Sequence, residues 1–312
     1  MKKFLPYITI VFFIAVAYFF VQTLSHIDWA QVQKSLSQFS WIVILPALAL
    51  AGLDYFILGN YDYIGYRYFK FGGIKYWQVL ISSMTCYIFT LNLGAMVGGV
   101  GFRLRIYSGW GISKKLISRI VVFATLTNWS GHALLLSIFF CFKSQEIYDL
   151  LGVPTWLLKF LGTIQFATVL TYFILCFKRY VVNFKGTTFV FPKLSTAFLQ
   201  FFLSCFQWVL LSFIIYILIQ YLGYDVALER IVFTSLLSSI AGVITHIPGG
   251  LGVLETIFLK VELGIPKSDM LAVLIVYRVV YYFIPLIMAI PSYLWLEYHQ
   301  KKTIKLRNME QM

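Results

Sequence analysis

Acidic residues are scarce in this 312-residue chain: 12 Asp and Glu stand against 25 Lys and Arg, and the four types together make up only 12% of the sequence. No hydrophilic stretch is long enough to fold as a soluble domain. Catalytic signatures are missing too. No glycine cluster is followed by Lys-Ser or Lys-Thr, which excludes a P-loop, and no HExxH, GxSxG or clustered carboxylate pair occurs. The four cysteines, Cys86, Cys141, Cys176 and Cys205, form no CxxC pair and have no nearby histidine to complete a metal set. They read as apolar filler, and neither metal nor other cofactor is expected.

What fills the chain instead is apolar surface. At 60% hydrophobic and 19% aromatic residues, with a mean hydropathy of +0.83, it carries more than one soluble core can hide. Runs of about 18 or more apolar residues, enough to cross a bilayer, fall near 7–24, 41–59, 76–97, 116–142, 157–177, 194–222, 228–247 and 270–296. The expected class is an all-α, polytopic membrane helix bundle. The first run follows Lys2-Lys3, but its apolar part exceeds a signal-peptide core and Ser25-His26-Ile27 is no small-residue cleavage site. A retained anchor is expected there.

Two runs lead directly into a repeated glycine cluster, Gly98-Gly99-Val100-Gly101 and Gly249-Gly250-Leu251-Gly252, the second preceded by Pro248. Glycine costs about 1 kcal/mol in a helix interior, so both clusters read as helix breaks. Threading all eight runs straight through the membrane leaves twelve basic residues on each side. Turning both glycine runs back on themselves, the first from the cytoplasmic side and the second from the outer side, puts 18 inside and 6 outside, with Arg278 inside a span. The positive-inside rule selects the second arrangement. It has six full spans, two re-entrant hairpins near 76–110 and 228–264, and cytoplasmic N- and C-termini. The result is one integral membrane domain, with a first half over 1–150, a second over 151–300 and a basic cytoplasmic tail over 301–312. The clusters lie 151 residues apart and enter from opposite faces, the mark of an inverted repeat whose substrate site lies where the repeats meet. Irregular backbone at membrane depth must face protein or a wet cavity, so the breaks are expected to mark one.

Intramembrane polar residues supply the candidate site. Arg103 and Arg105 follow the first break and Glu255 the second. The arginines either approach the cavity or snorkel to the inner surface. Glu255 either caps the new helix or handles a proton or headgroup. Asp54 and Arg278, fourteenth and ninth in their runs, are costly charges expected to face the bundle interior and to pair; Asp54 is one candidate partner for Arg278, although the sequence gives no contact between them. Asn128 and His132 share a helix face, for which interhelical hydrogen bonding is the simplest role. His246 reads equally as part of the break or as a titrating group. The segment from Tyr61 to Trp77, with Arg67 and Lys70, reads as an interfacial aromatic and basic collar.

Several segments resemble the lysylphosphatidylglycerol synthase transmembrane family: Asp62-Tyr63-Ile64-Gly65-Tyr66-Arg67-Tyr68; Asn92-Leu93-Gly94 and Gly98 through Ser108 with Gly111-Ile112-Ser113; Thr127-Asn128-Trp129-Ser130-Gly131; and His246-Ile247-Pro248-Gly249-Gly250-Leu251-Gly252-Val253-Leu254-Glu255. The likeness runs through most of the chain and fits the stand-alone inner-membrane members. The same module forms the flippase half of the multiple-peptide-resistance factor. The resemblance implies a bacterial plasma-membrane protein that moves anionic or aminoacylated phospholipid between leaflets. Two-part members add a soluble aminoacyltransferase domain, which this sequence to Met312 does not contain, so lysyl transfer is not expected of it.

Two other readings compete: a non-transporting partner of a lipid-synthesising enzyme, and an intramembrane lipid-modifying enzyme, which the missing motifs disfavour. Membrane phospholipid is the expected partner, nucleic acid is not, and a homo-oligomer is left open.

Overall fold

A computed structural model describes residues 28–69, 73–184 and 187–310. The first apolar run, with Lys2 and Lys3, lies outside them. The rest is an all-α polytopic bundle in which six described helices are long and apolar enough to cross a membrane. Five correspond to the expected full spans. The sixth, Leu228–Thr245, is the leading arm of the second glycine hairpin.

In chain order, α1 (Trp29–Gln38) is a short helix capped by Asp28, whose carboxylate accepts from the Ala30 and Gln31 amides. Then come α2 (Trp41–Tyr68), α3 (Tyr76–Leu93), a π-helical stretch Ala95–Gly101, α4 (Phe102–Gly109), α5 (Lys114–Phe142), α6 (Ser144–Leu151) and α7 (Thr155–Phe177). A two-stranded antiparallel ribbon, β1 (Val181–Phe184) and β2 (Thr187–Val190), pairs Val181 with Val190 in the stretch that the sequence leaves as a basic loop. The second half runs α8 (Leu194–Tyr221), α9 (Leu228–Thr245), a 3-10 turn Pro248–Gly250, α10 (Val253–Lys260), α11 (Lys267–Arg278), a π turn Val279–Phe283 and α12 (Ile284–Glu310).

The halves repeat element by element. Helices of 28, 18 and 8 residues occur in that order as α2, α3 and α4 and again as α8, α9 and α10. The paired helices start at Trp41 and Leu194, Tyr76 and Leu228, Phe102 and Val253, and Lys114 and Lys267, an offset of 151–153 residues throughout. The two long helices α2 and α8 pack together, and the end of α3 lies against the Pro248–Gly250 turn. A single apolar core joins α2 and α8 to α11, with Tyr55, Ile214, Ile215, Tyr277 and Tyr281 almost wholly buried.

The two glycine clusters do different work. In the first, α3 ends at Gly94 (φ 86°), outside the cluster. Gly98 serves close approach: a Cβ there would sit 2.1 Å from the Phe89 carbonyl oxygen, a backbone atom that cannot step aside. In the second, the glycines themselves turn the chain, Gly249 (φ 63°), Gly250 (φ 57°) and Gly252 (φ 78°) all being left-handed. Gly98→Ala is therefore expected to destabilise the protein by about 1–3 kcal/mol or more through overpacking. Gly52, with nothing within 4 Å of its would-be Cβ, supplies the contrast: Gly52→Ala is expected to be neutral or stabilising by up to about 1 kcal/mol. Thermal unfolding in detergent reads both.

Candidate functional site

Each half-helix beyond a break is held by a buried arginine, and the two arginines use one pattern. Arg103, second residue of α4, donates from Nε to Asp62 Oδ2 at 2.9 Å, from Nη2 to Asp62 Oδ1 at 3.3 Å and from Nη1 to the Gly99 carbonyl at 3.0 Å. Its guanidinium lies 4.3 Å over the Tyr87 ring. Arg278, last residue of α11, donates from Nε to Glu255 Oε1 at 2.8 Å and from Nη2 to Glu255 Oε2 at 3.2 Å. It also donates to the Gly249 carbonyl, and at 3.0 Å to that of Gly250, and lies 4.6 Å over the Tyr282 ring.

Carboxylate, glycine carbonyl and tyrosine face thus surround both cations. The chemistry explains the pattern. A broken helix leaves carbonyls without intrahelical partners, and lipid cannot satisfy them. Arginine carries five donors in a rigid fork, enough to bridge a carboxylate and those carbonyls together. The paired carboxylate offsets the charge, so that none is buried alone.

Asp62, missing from the sequence candidates, is the main addition. It is 0% exposed and also accepts from the Tyr107 hydroxyl at 2.7 Å. The apolar run ends at residue 59 in the sequence, which places Asp62 in the interfacial collar; α2 instead continues to Tyr68 and carries Asp62 inward. Part of that collar is core for the same reason, since Tyr61 and Tyr66 are buried. The signal available in the sequence was a second aspartate two helical turns beyond Asp54.

The candidate Asp54–Arg278 pair does not form, because Glu255 occupies the guanidinium. Asp54 is 0% exposed and accepts instead from the Tyr281 hydroxyl at 2.5 Å and from Gln207 Nε2 at 3.1 Å. Glu255 takes the capping position: Oε2 also accepts from the Gly252 amide at 2.9 Å, so it caps α10 while holding Arg278. Arg105 is different, an exposed residue whose Nε meets Glu297 on α12 at 2.5 Å. It ties the first half-helix to the last helix near the surface.

Asn128 and His132 lie on a separate seam between α5, α8 and α9. The Asn128 carbonyl accepts from Ser204 and from the Trp208 indole, while His132 Nε2 lies 3.0 Å from the Leu236 carbonyl, with its ring against Trp129 and Trp208. For His132 this is the interhelical hydrogen bond expected of it. His246 belongs to the break: it adopts a left-handed conformation (φ 56°) at the end of α9. Among the described residues, no group of three or more His, Cys, Asp or Glu is placed to hold a metal ion.

A space of about 390 Å³, lined by Lys75, Trp77, Gln78, Ser108, Trp110 and His299 among others, opens at the base of the α3/α4 hairpin. The tips are close: a Cβ on Gly249 would lie 3.0 Å from the Leu91 carbonyl. Around them Met96, Val97, Ile244 and Leu251 remain more than half exposed.

Comparison with known proteins agrees with this architecture. The profile of the lysylphosphatidylglycerol synthase TM region matches residues 7–289. Inner membrane protein YbhN of Escherichia coli K12 is 36% identical over 299 residues, covering 95% of this chain and 93% of that protein. A Synechocystis protein, slr0712, is 28% identical over 84% of this chain and 82% of its own length. The phosphatidylglycerol lysyltransferase of Staphylococcus haemolyticus is 24% identical over 90% of this chain, which corresponds to 32% of that larger protein. With a profile match over nearly its whole length, and a relative at this identity spanning both chains, the chain belongs to the lysylphosphatidylglycerol synthase transmembrane family.

Proposed function

We propose that this protein moves phospholipid with an anionic or aminoacylated headgroup between the leaflets of a bacterial inner membrane. Its termini face the cytoplasm, and its two hairpins enter from opposite sides. The observation that carries the reading is the duplicated break held by an arginine, with Arg103 and Arg278 each shared between a carboxylate and glycine carbonyls. Inverted-repeat transporters place substrate between such half-helices near the midplane. The exposed apolar residues at the tips offer a surface to acyl chains.

The ion pairs bear on the cargo. A lipid phosphate competes for guanidinium in the same bidentate geometry as a carboxylate. A phosphate alone would strand Asp62 or Glu255 as a buried unpaired charge, at a cost of several kcal/mol. A headgroup bearing both phosphate and ammonium satisfies both members of the opened pair. Aminoacylated phospholipid has that composition.

The test is leaflet exchange in proteoliposomes, with labelled phosphatidylglycerol, aminoacylated phosphatidylglycerol and phosphatidylethanolamine compared. Faster exchange of amine-bearing lipids, lost in Arg278→Ala, is the expected result. Exchange at the protein-free rate for every headgroup would overturn the reading.

One observation favours a second reading. In the staphylococcal lysyltransferase the matched region is about a third of the protein, so in that protein a module of this kind is joined to a larger remainder. A non-transporting partner of a lipid-synthesising enzyme would co-purify with that enzyme and show no exchange alone.

A further inference from the structure

Asp54 and Gln207 are repeat-equivalent residues that touch. Each is the fourteenth residue of a 28-residue helix, Asp54 in α2 and Gln207 in α8, and Gln207 Nε2 donates to Asp54 Oδ1 at 3.1 Å. Their contact therefore lies on the axis relating the two halves. At 1.5 Å per residue it lies about 20 Å from either end of both helices. A buried carboxylate here, with no ion-pair partner among the described residues, is unexplained by the arginine pairs.

The groups around Asp54 define what it can hold. On its own helix Tyr55 is the next residue and stacks on Tyr281, and Tyr61 lies two turns further on. From α3, Tyr87 packs on Tyr61 under Arg103, whose charge Asp62 takes up. From α8 come Gln207 and, beyond Tyr61, Cys205. On α5, His132 is turned to the Leu236 carbonyl. From α11 and its π turn come Tyr277, Tyr281 and Tyr282, with Arg278 held by Glu255. Both charged neighbours are thus committed, and among the described residues Asp54 has no ion-pair partner. Tyr281 and Gln207 both present hydrogens to it, whereas a metal cation needs oxygen lone pairs.

We infer that Asp54 is a proton-binding site, through which lipid movement is coupled to a proton. The inference rests on the translocation reading above. Gln207 Oε1 is buried without a hydrogen-bond partner. Turning the amide over presents that oxygen to Asp54, so the same side chain donates to the carboxylate and accepts from the carboxylic acid. The step is balanced: Asp54 carboxylate takes one proton from water on one side, becomes neutral, and returns one proton to water on the other.

The route from proton to hairpin is short. Tyr281 donates to Asp54 from within the π turn that follows Arg278, and Tyr55 donates to the Tyr281 carbonyl at 2.9 Å. Charge-assisted hydrogen bonds are about twice as strong as neutral ones, so neutralising Asp54 loosens the π turn. Arg278 sets the position of the Gly249 and Gly250 carbonyls from the preceding residue. Wide π turns recur as adjustable points in helices at functional sites.

Two measurements test this on the whole protein. Infrared titration is expected to show a carboxylic acid carbonyl band that grows as pH falls and is lost in Asp54→Asn; Tyr281→Phe, which keeps the ring, is expected to shift its midpoint. In proteoliposomes with the membrane potential clamped, one-for-one coupling makes the leaflet ratio of lipid change about tenfold per unit of imposed pH gradient. Asp54→Asn is expected to exchange lipid without responding to the gradient. Absence of the Asp54-dependent band overturns the proton site. Wild-type exchange that ignores a pH gradient, or follows a sodium gradient at constant pH, overturns the coupling and leaves translocation standing. The band without any exchange overturns translocation, and the coupling with it, while leaving Asp54 as a protonatable group.

Discussion

Arg278→Ala is expected to destabilise the protein by about 3–5 kcal/mol, the usual cost of breaking a buried ion pair by removing one partner, and to abolish lipid exchange. The substitution strands the Glu255 carboxylate, and it removes the donors serving the Gly249 and Gly250 carbonyls. Glu255 keeps only the Gly252 amide among its observed partners. Thermal unfolding in detergent reads the stability, and proteoliposomes read the exchange. Arg278→Lys separates charge from geometry. Lysine restores the positive charge but not the planar fork, so it is expected to recover part of the stability and little of the exchange. Full stability in Arg278→Ala would show that the turn is held by packing rather than by the guanidinium.

A comparable loss is expected for Asp62→Ala, about 3–5 kcal/mol, because Arg103 then remains buried with the Gly99 carbonyl and the Tyr87 ring as its observed partners. The Tyr107 hydroxyl loses its acceptor as well. The double variant Asp62→Ala with Arg103→Met gives the decisive comparison. Removing both charges leaves neither one uncompensated, and an apolar replacement of a buried pair is often neutral. The double variant is thus expected to be more stable than Asp62→Ala alone, a non-additivity visible in a thermodynamic cycle. Additive losses would show that Asp62 and Arg103 contribute separately.

Much of the fold could be read before the structure. Run length and composition pointed to the all-α membrane class, and the glycine clusters marked to within a few residues where both hairpins turn. The mechanism of the first break could not be read. Gly98 is needed because a backbone carbonyl from Phe89 approaches it, a contact that neighbouring sequence does not encode. The site was legible residue by residue but not pair by pair. Arg103, Glu255, Arg278 and Asp54 stand out because charge is costly in apolar runs, yet nothing in their spacing assigns Asp62 to Arg103 and Glu255 to Arg278. The strict offset between Asp54 and Gln207 became visible only once helix boundaries were known.

Sequence alone determined that this chain belongs in a membrane, that two of its apolar runs are broken, and which charges are costly enough to require partners. These follow from local quantities: hydropathy summed over a run, the helix penalty of glycine, and the cost of moving charge out of water. Tertiary structure decided which partner each charge takes, where the 390 Å³ cavity opens, and that the two repeats meet at Asp54 and Gln207. Those outcomes depend on which helices lie side by side. Partners 41 and 23 residues apart in the chain are brought within hydrogen-bond distance only by that packing.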